Sequence, residues 1–254
     1  MSDRVRWLGH ATVEVALGGA TILTDPVLRV RVAHLLRVPG AVPAPPPLID
    51  AVALSHAHRD HLDLPTLRAL DGDWPLIVPR GTGRLLPRAL RARAAEVVVG
   101  DAVVAGGATI RAVPARHDGR RHPLAPRAGA PDALGYVVEG AGKRVYFAGD
   151  TDLFDGMTRI GAGGLDVALL PVWGWGPRLG SGDHLDPERA ARAAALLAPR
   201  VAIPIHWATF LPVAARRRHA ALLTTPGPAF AAATARAAPA VAVALLAPGE
   251  ALDL

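Results

Sequence analysis

The 254-residue sequence predicts an α/β fold, of the α+β kind, in which two mixed β-sheets are covered by helices. Three observations point there. Strand-like runs open the chain, later strand-like runs alternate with helical ones, and that succession occurs twice. The chain is 51% hydrophobic, enough for one substantial core in a single domain over residues 1–254. Cysteine is absent, so no disulfide scaffold substitutes for such a core.

In chain order, Val5–Leu8 and Ala11–Leu17 read as strands, and Gly18-Gly19 makes a tight turn into a third, Ala20–Thr24. Residues 26–48 mix Arg with aliphatics and end in Pro43-Ala-Pro-Pro-Pro47, which cannot join a sheet, so a long loop is expected. Its Leu28, Val30, Leu35 and Leu36 either pack on the core or form an apolar lid for a lipid-like substrate. Ala51–Leu54 is a short buried strand and Pro65–Leu70 a helix. Further strands are expected at Leu76–Val78, Glu96–Val99, Ala108–Ala115, Leu134–Glu139, Arg144–Phe147, Val167–Leu170 and Val201–Ile205. Asp186–Ala198 carries helix signals throughout: Asp186 as N-cap, Pro187 in the first helical position, Glu188 near the positive end of the dipole, then an Ala/Leu-rich body. Pro226–Ala237 reads as another helix and Val241–Leu246 as a closing strand.

Without cysteine there is no thiolate zinc finger, iron–sulfur cluster or cysteine nucleophile, which leaves any metal to His and carboxylates. A net charge of +6 points toward nucleic acid or an anionic surface. Lys143 is the single lysine among 28 basic residues, however, and the arginines are scattered, with Arg216-Arg217-Arg218 the only run of three. Dispersed surface charge and no nucleic-acid partner are therefore expected. The start of the chain lacks the apolar core of a signal peptide, and no apolar run approaches the ~20 residues that span a bilayer, so a soluble, cytoplasmic protein is expected.

The densest polar cluster is Ser55-His56-Ala57-His58-Arg59-Asp60-His61, directly after an apolar strand. In an extended segment positions two apart face the same way, so His56 and His58 can grip one metal while the following turn aims Asp60 and His61 at another. Three of only ten histidines fall in this stretch, and clustered imidazole and carboxylate are what a divalent cation requires. Three more ligand-type residues stand where buried strands run out: His117, Asp150 and His206. Together they make seven ligands, enough for two metals.

These residues resemble the metallo-β-lactamase superfamily. The likeness rests on His56-Ala-His58-Arg-Asp60-His61, with His117, Gly149-Asp150-Thr151 and His206 in order across nearly the whole chain. It implies a four-layer αββα sandwich with the site at one edge between the sheets. It also implies His56, His58 and His117 on a first metal, Asp60, His61 and His206 on a second, and Asp150 bridging both. Trp7-Leu-Gly-His-Ala-Thr-Val13, Thr24-Asp25-Pro26, His184-Leu-Asp-Pro187 and Ile205-His-Trp-Ala-Thr209 are similar to one branch of the superfamily. That branch contains the N-acylphosphatidylethanolamine-hydrolysing phospholipase D and the ascorbate-6-phosphate lactonase. Asp25 resembles the family aspartate that pins the metal loop through hydrogen bonds. His10 is expected in a buried supporting role beside the ligands, and His184 near the site as a substrate hydrogen-bonder or proton donor.

Arg116, Arg120 and Arg121 flank His117 and are candidates to hold a phosphate or carboxylate, and Trp173 and Trp175 to wall a substrate pocket. His34, His122 and His219 read as surface residues. Two cations, zinc first with manganese or iron equally suited to the ligands, would share Asp150 and a hydroxide that attacks phosphorus or a carbonyl carbon. The expected function is a two-metal hydrolase acting on a phosphodiester or a phosphorylated or anionic small molecule. The alternatives are a lactonase of the same fold, a nuclease, and a non-catalytic metal- or ligand-binding protein.

Overall fold

Gly18 and Gly19 both adopt positive φ, +60° and +82°, the combination that a two-residue hairpin turn demands. They join β2 (Thr12–Leu17) to β3 (Ala20–Thr24), and β1 (Arg4–Gly9) precedes them in an antiparallel meander. The computed structural model describes residues 2–38, 41–122, 129–173, 184–213 and 220–254. The chain continues through β4 (Arg31–Val32), β5 (Leu35–Arg37), β6 (Ala51–Ala53), α1 (Leu64–Ala69), β7 (Leu76–Pro79), α2 (Arg88–Arg91) and β8 (Ala94–Val97). Then come β9 (Ala102–Ala105), β10 (Ala108–Pro114), β11 (Leu134–Gly140), β12 (Lys143–Phe147), α3 (Met157–Gly161), β13 (Val167–Pro171), α4 (Pro187–Leu197) and β14 (Val201–Ile205). β15 (Phe210–Pro212), α5 (Pro226–Ala237), β16 (Ala242–Val243) and β17 (Ala251–Asp253) complete the described elements.

Two seven-stranded mixed sheets result, ordered β17-β1-β2-β3-β6-β7-β8 and β16-β14-β13-β12-β11-β10-β9. Side-chain alternation assigns their faces. In the first sheet Val5, Trp7, Val13, Val15, Ile22, Ala51, Ala53 and Ile77 join the core shared with the second sheet. Leu8, Leu23, Val52, Leu54, Leu76 and Val78 point the other way and pack under Leu67 of α1, Leu70 just after it, and Trp74. On the second sheet α3 and α5 each pack against α4, with α4 over β13 and α5 over β14. This is the expected αββα layering. No helix among the described residues is long and apolar enough to cross a membrane.

Three expectations are corrected. The 26–48 stretch is not all loop: β4 and β5 form a hairpin that pairs with β15 in a small third sheet. Of its aliphatics Leu35 is buried, Leu28 and Leu36 are partly buried, and Val30 is 60% exposed. The strand expected at Val241–Leu246 is only Ala242–Val243. Pro248 and Gly249, with φ +100°, then turn the chain so that β17 adds to the edge of the first sheet beside β1. The strand expected at Glu96–Val99 lies at Ala94–Val97, because Asp101 draws Val98 N into a turn at 2.9 Å.

Candidate metal centre

β6 is too short to carry the histidines itself, and its pairing ends with Leu54 N on Ile77 O at 2.9 Å. Beyond that point the opposite sheet takes over. Tyr136 Oη donates to Leu54 O at 2.8 Å and Leu134 N to Ser55 O at 2.9 Å, so β11 clamps the root of the loop. The loop closes where His61 N and Leu62 N both donate to His58 O, at 3.1 and 2.8 Å. Gly149, at the end of β12, makes the approach of the second sheet feasible: a Cβ there would lie 2.4 Å from Ser55 Cβ, and its φ is +61°.

Two groups of donors form around this loop. His56, His58 and His117 make the first, with His56 Nε2 2.9 Å and His117 Nε2 3.2 Å from His58 Nδ1. His61, His206, Asp60 and His10 make the second, with His61 Nε2 3.2 Å from His206 Nε2. Two nitrogens that share a tetrahedral cation at the usual bond length stand about 3.3 Å apart, so these spacings suit a metal. Asp150 lies between the groups. Its Oδ2 is 3.3 Å from His61 Nε2 and 4.0 Å from both His56 Nε2 and His117 Nε2, while its Oδ1 is 3.2 Å from His206 Nε2. That Oδ1 is buried and makes no hydrogen bond among the described residues, an acceptor of the kind a cation satisfies.

The rings are held from behind. His61 Nδ1 lies 2.6 Å from Asp25 Oδ2, His206 Nδ1 2.7 Å from Trp173 O, and His56 Nδ1 2.9 Å from Ser55 Oγ, which turns all three Nε2 atoms inward. Asp25 also accepts from Ser55 N and Oγ, at 2.7 and 2.5 Å. His10, Asp25 and His206 have φ of +54°, +34° and +65°, left-handed backbone that costs a non-glycine residue about 1–2 kcal/mol. Bonds over-determine it: His206 N donates to His10 O at 2.9 Å, Trp7 Nε1 to the same oxygen at 2.8 Å, and His10 N to Thr209 Oγ1 at 2.8 Å.

Comparison with known proteins decides the family. The description "Beta-lactamase superfamily domain" matches residues 20–207. The chain belongs to the metallo-β-lactamase superfamily. A UPF0173 metal-dependent hydrolase of Thermus thermophilus is 36% identical over 211 residues, covering 82% of this chain and 85% of that protein. The N-acyl-phosphatidylethanolamine-hydrolyzing phospholipase D 1 of Caenorhabditis elegans is 31% identical over 232 residues, covering 80% of this chain and 63% of that one. Among solved structures, Igni18, a metallo hydrolase from Ignicoccus hospitalis, matches with a TM-score of 0.72 at 22% identity over 100% of this chain and 99% of its own. This metallo-β-lactamase-fold chain thus stands among metal-dependent hydrolases.

Electrostatics at the centre follow from burial opposed by neighbours. Burial pushes His10 down to about 3 and His58 to about 4, and it holds His56 well below the usual imidazole value. Those rings are neutral and ready to ligate. Burial also opposes charge on His61, but Asp150 and Asp25 outweigh it and raise this group well above its ordinary value. Asp150 and Asp60 sit well below the carboxylate range because surrounding imidazoles, His206 and His61 for one and His10 and His61 for the other, overcome the cost of burial.

Above the centre opens a cleft of about 440 Å³. His184 lines it, with Nε2 3.4 Å from Asp150 Oδ2. Of the arginines singled out by sequence, Arg116 turns to Leu153 O and Arg120 pairs with Asp118, and neither lines this cleft; Arg121 does. Trp173 is buried and contributes its carbonyl rather than a pocket wall, while Trp175 and His219 lie outside the described residues. His34 and His122, read as surface, also line the cleft. His122 follows His117 closely enough for its position to have been suspected. His34 reaches the cleft only through the β4–β5 hairpin, which its local sequence does not announce.

Proposed function

We propose that the protein is a two-metal hydrolase, with zinc as the first candidate, that cleaves a phosphodiester or another phosphorylated or anionic small molecule. The observation that carries this reading is Asp150, which lies between the two histidine groups: its Oδ1 is 3.2 Å from His206 of the second, and its Oδ2 is 3.3 Å from His61 of the second and 4.0 Å from both His56 and His117 of the first. In it His56, His58 and His117 would hold one cation, Asp60, His61 and His206 the other, and Asp150 would serve both. Such a pair supplies acidity that makes water nucleophilic near neutral pH and charge that polarises the scissile oxygen. The chain's own residues do the rest. Asp25 and Trp173 O orient His61 and His206, and His10 lies 3.2 Å from Asp60 Oδ2 and fixes that carboxylate. His184, in the cleft wall and within reach of Asp150, gives a proton to the departing oxygen. The relative named for hydrolysing N-acyl-phosphatidylethanolamine directs the choice of bond to a phosphodiester and supports a lipid-like substrate.

Metal-loaded protein assayed against bis(p-nitrophenyl) phosphate and a set of lactones tests the reading. Phosphodiester turnover that vanishes on chelation and falls at least about 100-fold in His58→Ala is expected. Turnover that survives both treatments removes the metal role, and a preference for the lactones removes the phosphodiester assignment.

A further inference from the structure

The cleft is asymmetric in charge. Its carboxylates among the described residues, Asp60 and Asp150, both belong to the metal centre, while Arg59 and Arg121 also line the cleft and Val32, Ala33 and Leu35 form an apolar wall. Arg121 is fixed: its Nη1 donates to Leu62 O at 2.6 Å, Ala57 O at 3.0 Å and His58 O at 3.4 Å, all in the loop that carries the histidines. Nη1 alone makes those bonds. A guanidinium has three more N–H groups in its planar fork, and here they meet no acceptor among the described residues. The two carboxylates whose charge acts on Arg121, Asp63 and Asp60, are themselves engaged, Asp63 with Arg29 at 3.1 Å and Asp60 with His10 at 3.2 Å. Ala57 and His58 immediately precede Arg59 in the chain, and both arginines line the same cleft, so the geometry brings the two cations to one region of its wall.

We propose that Arg59 and Arg121 form an anion subsite beside the metal centre, which takes a carboxylate or phosphate that the substrate carries away from the bond it loses. The inference rests on the hydrolase reading for the reacting end of the substrate and adds the chemistry of the other end. A planar fork held rigidly by three carbonyls loses little entropy when it grips an oxyanion. Two arginines on one cleft wall repel one another, and an anion bound between them relieves that repulsion. The apolar wall then accommodates the carbon spacer between the two anionic groups.

The test is calorimetric and needs no turnover. Metal-loaded protein is titrated with n-alkylphosphonates and with ω-phosphonoalkanoates of matched length, two to five methylenes, which differ only in the distal carboxylate. At least one phosphonoalkanoate is expected to bind about tenfold more tightly than its alkyl partner, and Arg59→Gln to reduce that advantage to about threefold or less while its metal content stays at the wild-type value. Arg121→Lys, which keeps a charge but not the fork, is expected to reduce it as well. No carboxylate advantage in the wild type, or an advantage that survives both substitutions, overturns the subsite. If alkylphosphonates bind only with metal present yet the carboxylate adds nothing, the subsite alone fails and the hydrolase reading stands. If neither series binds, both fail.

Discussion

Imidazole is a two-ended ligand, and the chain controls which end faces inward by occupying the other. His61 shows this most clearly, since Asp25 lies 2.6 Å from its Nδ1 and the same carboxylate also holds Ser55 N at 2.7 Å. Removing Asp25 frees the ring and the loop together. Asp25→Ala is therefore expected to weaken metal binding about 10- to 100-fold, read by competition with a chromogenic chelator. Affinity unchanged within experimental error would show that the ring is oriented by something else. The ligand-type residues themselves were legible in the sequence, because His56, His58, Asp60 and His61 sit side by side and His117, Asp150 and His206 each end an apolar run. The carbonyl of Trp173 was not, because any residue can present a carbonyl and only the fold selects which one does.

At the scale of elements, the site is a seam between two sheets. Its closure depends on contacts that cross from one to the other, above all Tyr136 Oη on Leu54 O at 2.8 Å. Tyr136→Phe deletes that donor in a buried setting, and a loss of about 1 kcal/mol, hence a Tm lower by roughly 2–4 °C in a chain of this size, is expected by calorimetry. Gly149→Ala should be far worse, since the added Cβ meets Ser55 Cβ at 2.4 Å on left-handed backbone. A soluble variant with wild-type metal content and Tm would contradict the account of that close approach. Strands such as β11 and β14 were readable from their apolar runs, and α4 from its cap and Pro187. The β4–β5 hairpin was hidden because it is held by pairing with Phe210–Pro212, far along the chain, and non-local pairing leaves no periodic signal in short strands.

For the whole molecule, burying so many imidazoles links stability to pH. His10, near 3, and His58, near 4, stay neutral in the folded state below the ordinary value of 6.5, at which they take up protons once unfolded. The unfolded state therefore binds more protons as pH falls, and stability is lost from about 6.5 down to about 4, by up to ~1.4 kcal/mol per pH unit for each such ring. His61, with its raised folded value, contributes in the opposite sense: its stabilisation is complete below 6.5 and is lost only as pH rises through that folded value. It does not offset the acid-side loss. Metal-free protein is thus expected to melt at a lower temperature at pH 5 than at pH 7, and a Tm at pH 5 equal to or above that at pH 7 would contradict the burial of neutral rings.

Both sheets and residues from His10 to His206 converge on Asp150. Anomalous diffraction from crystals grown with zinc measures the consequence directly. Two peaks are predicted, one against His56, His58 and His117 and the other against Asp60, His61 and His206, with the Asp150 carboxylate between them. A map with a single peak, or with none touching Asp150, would contradict the two-metal centre.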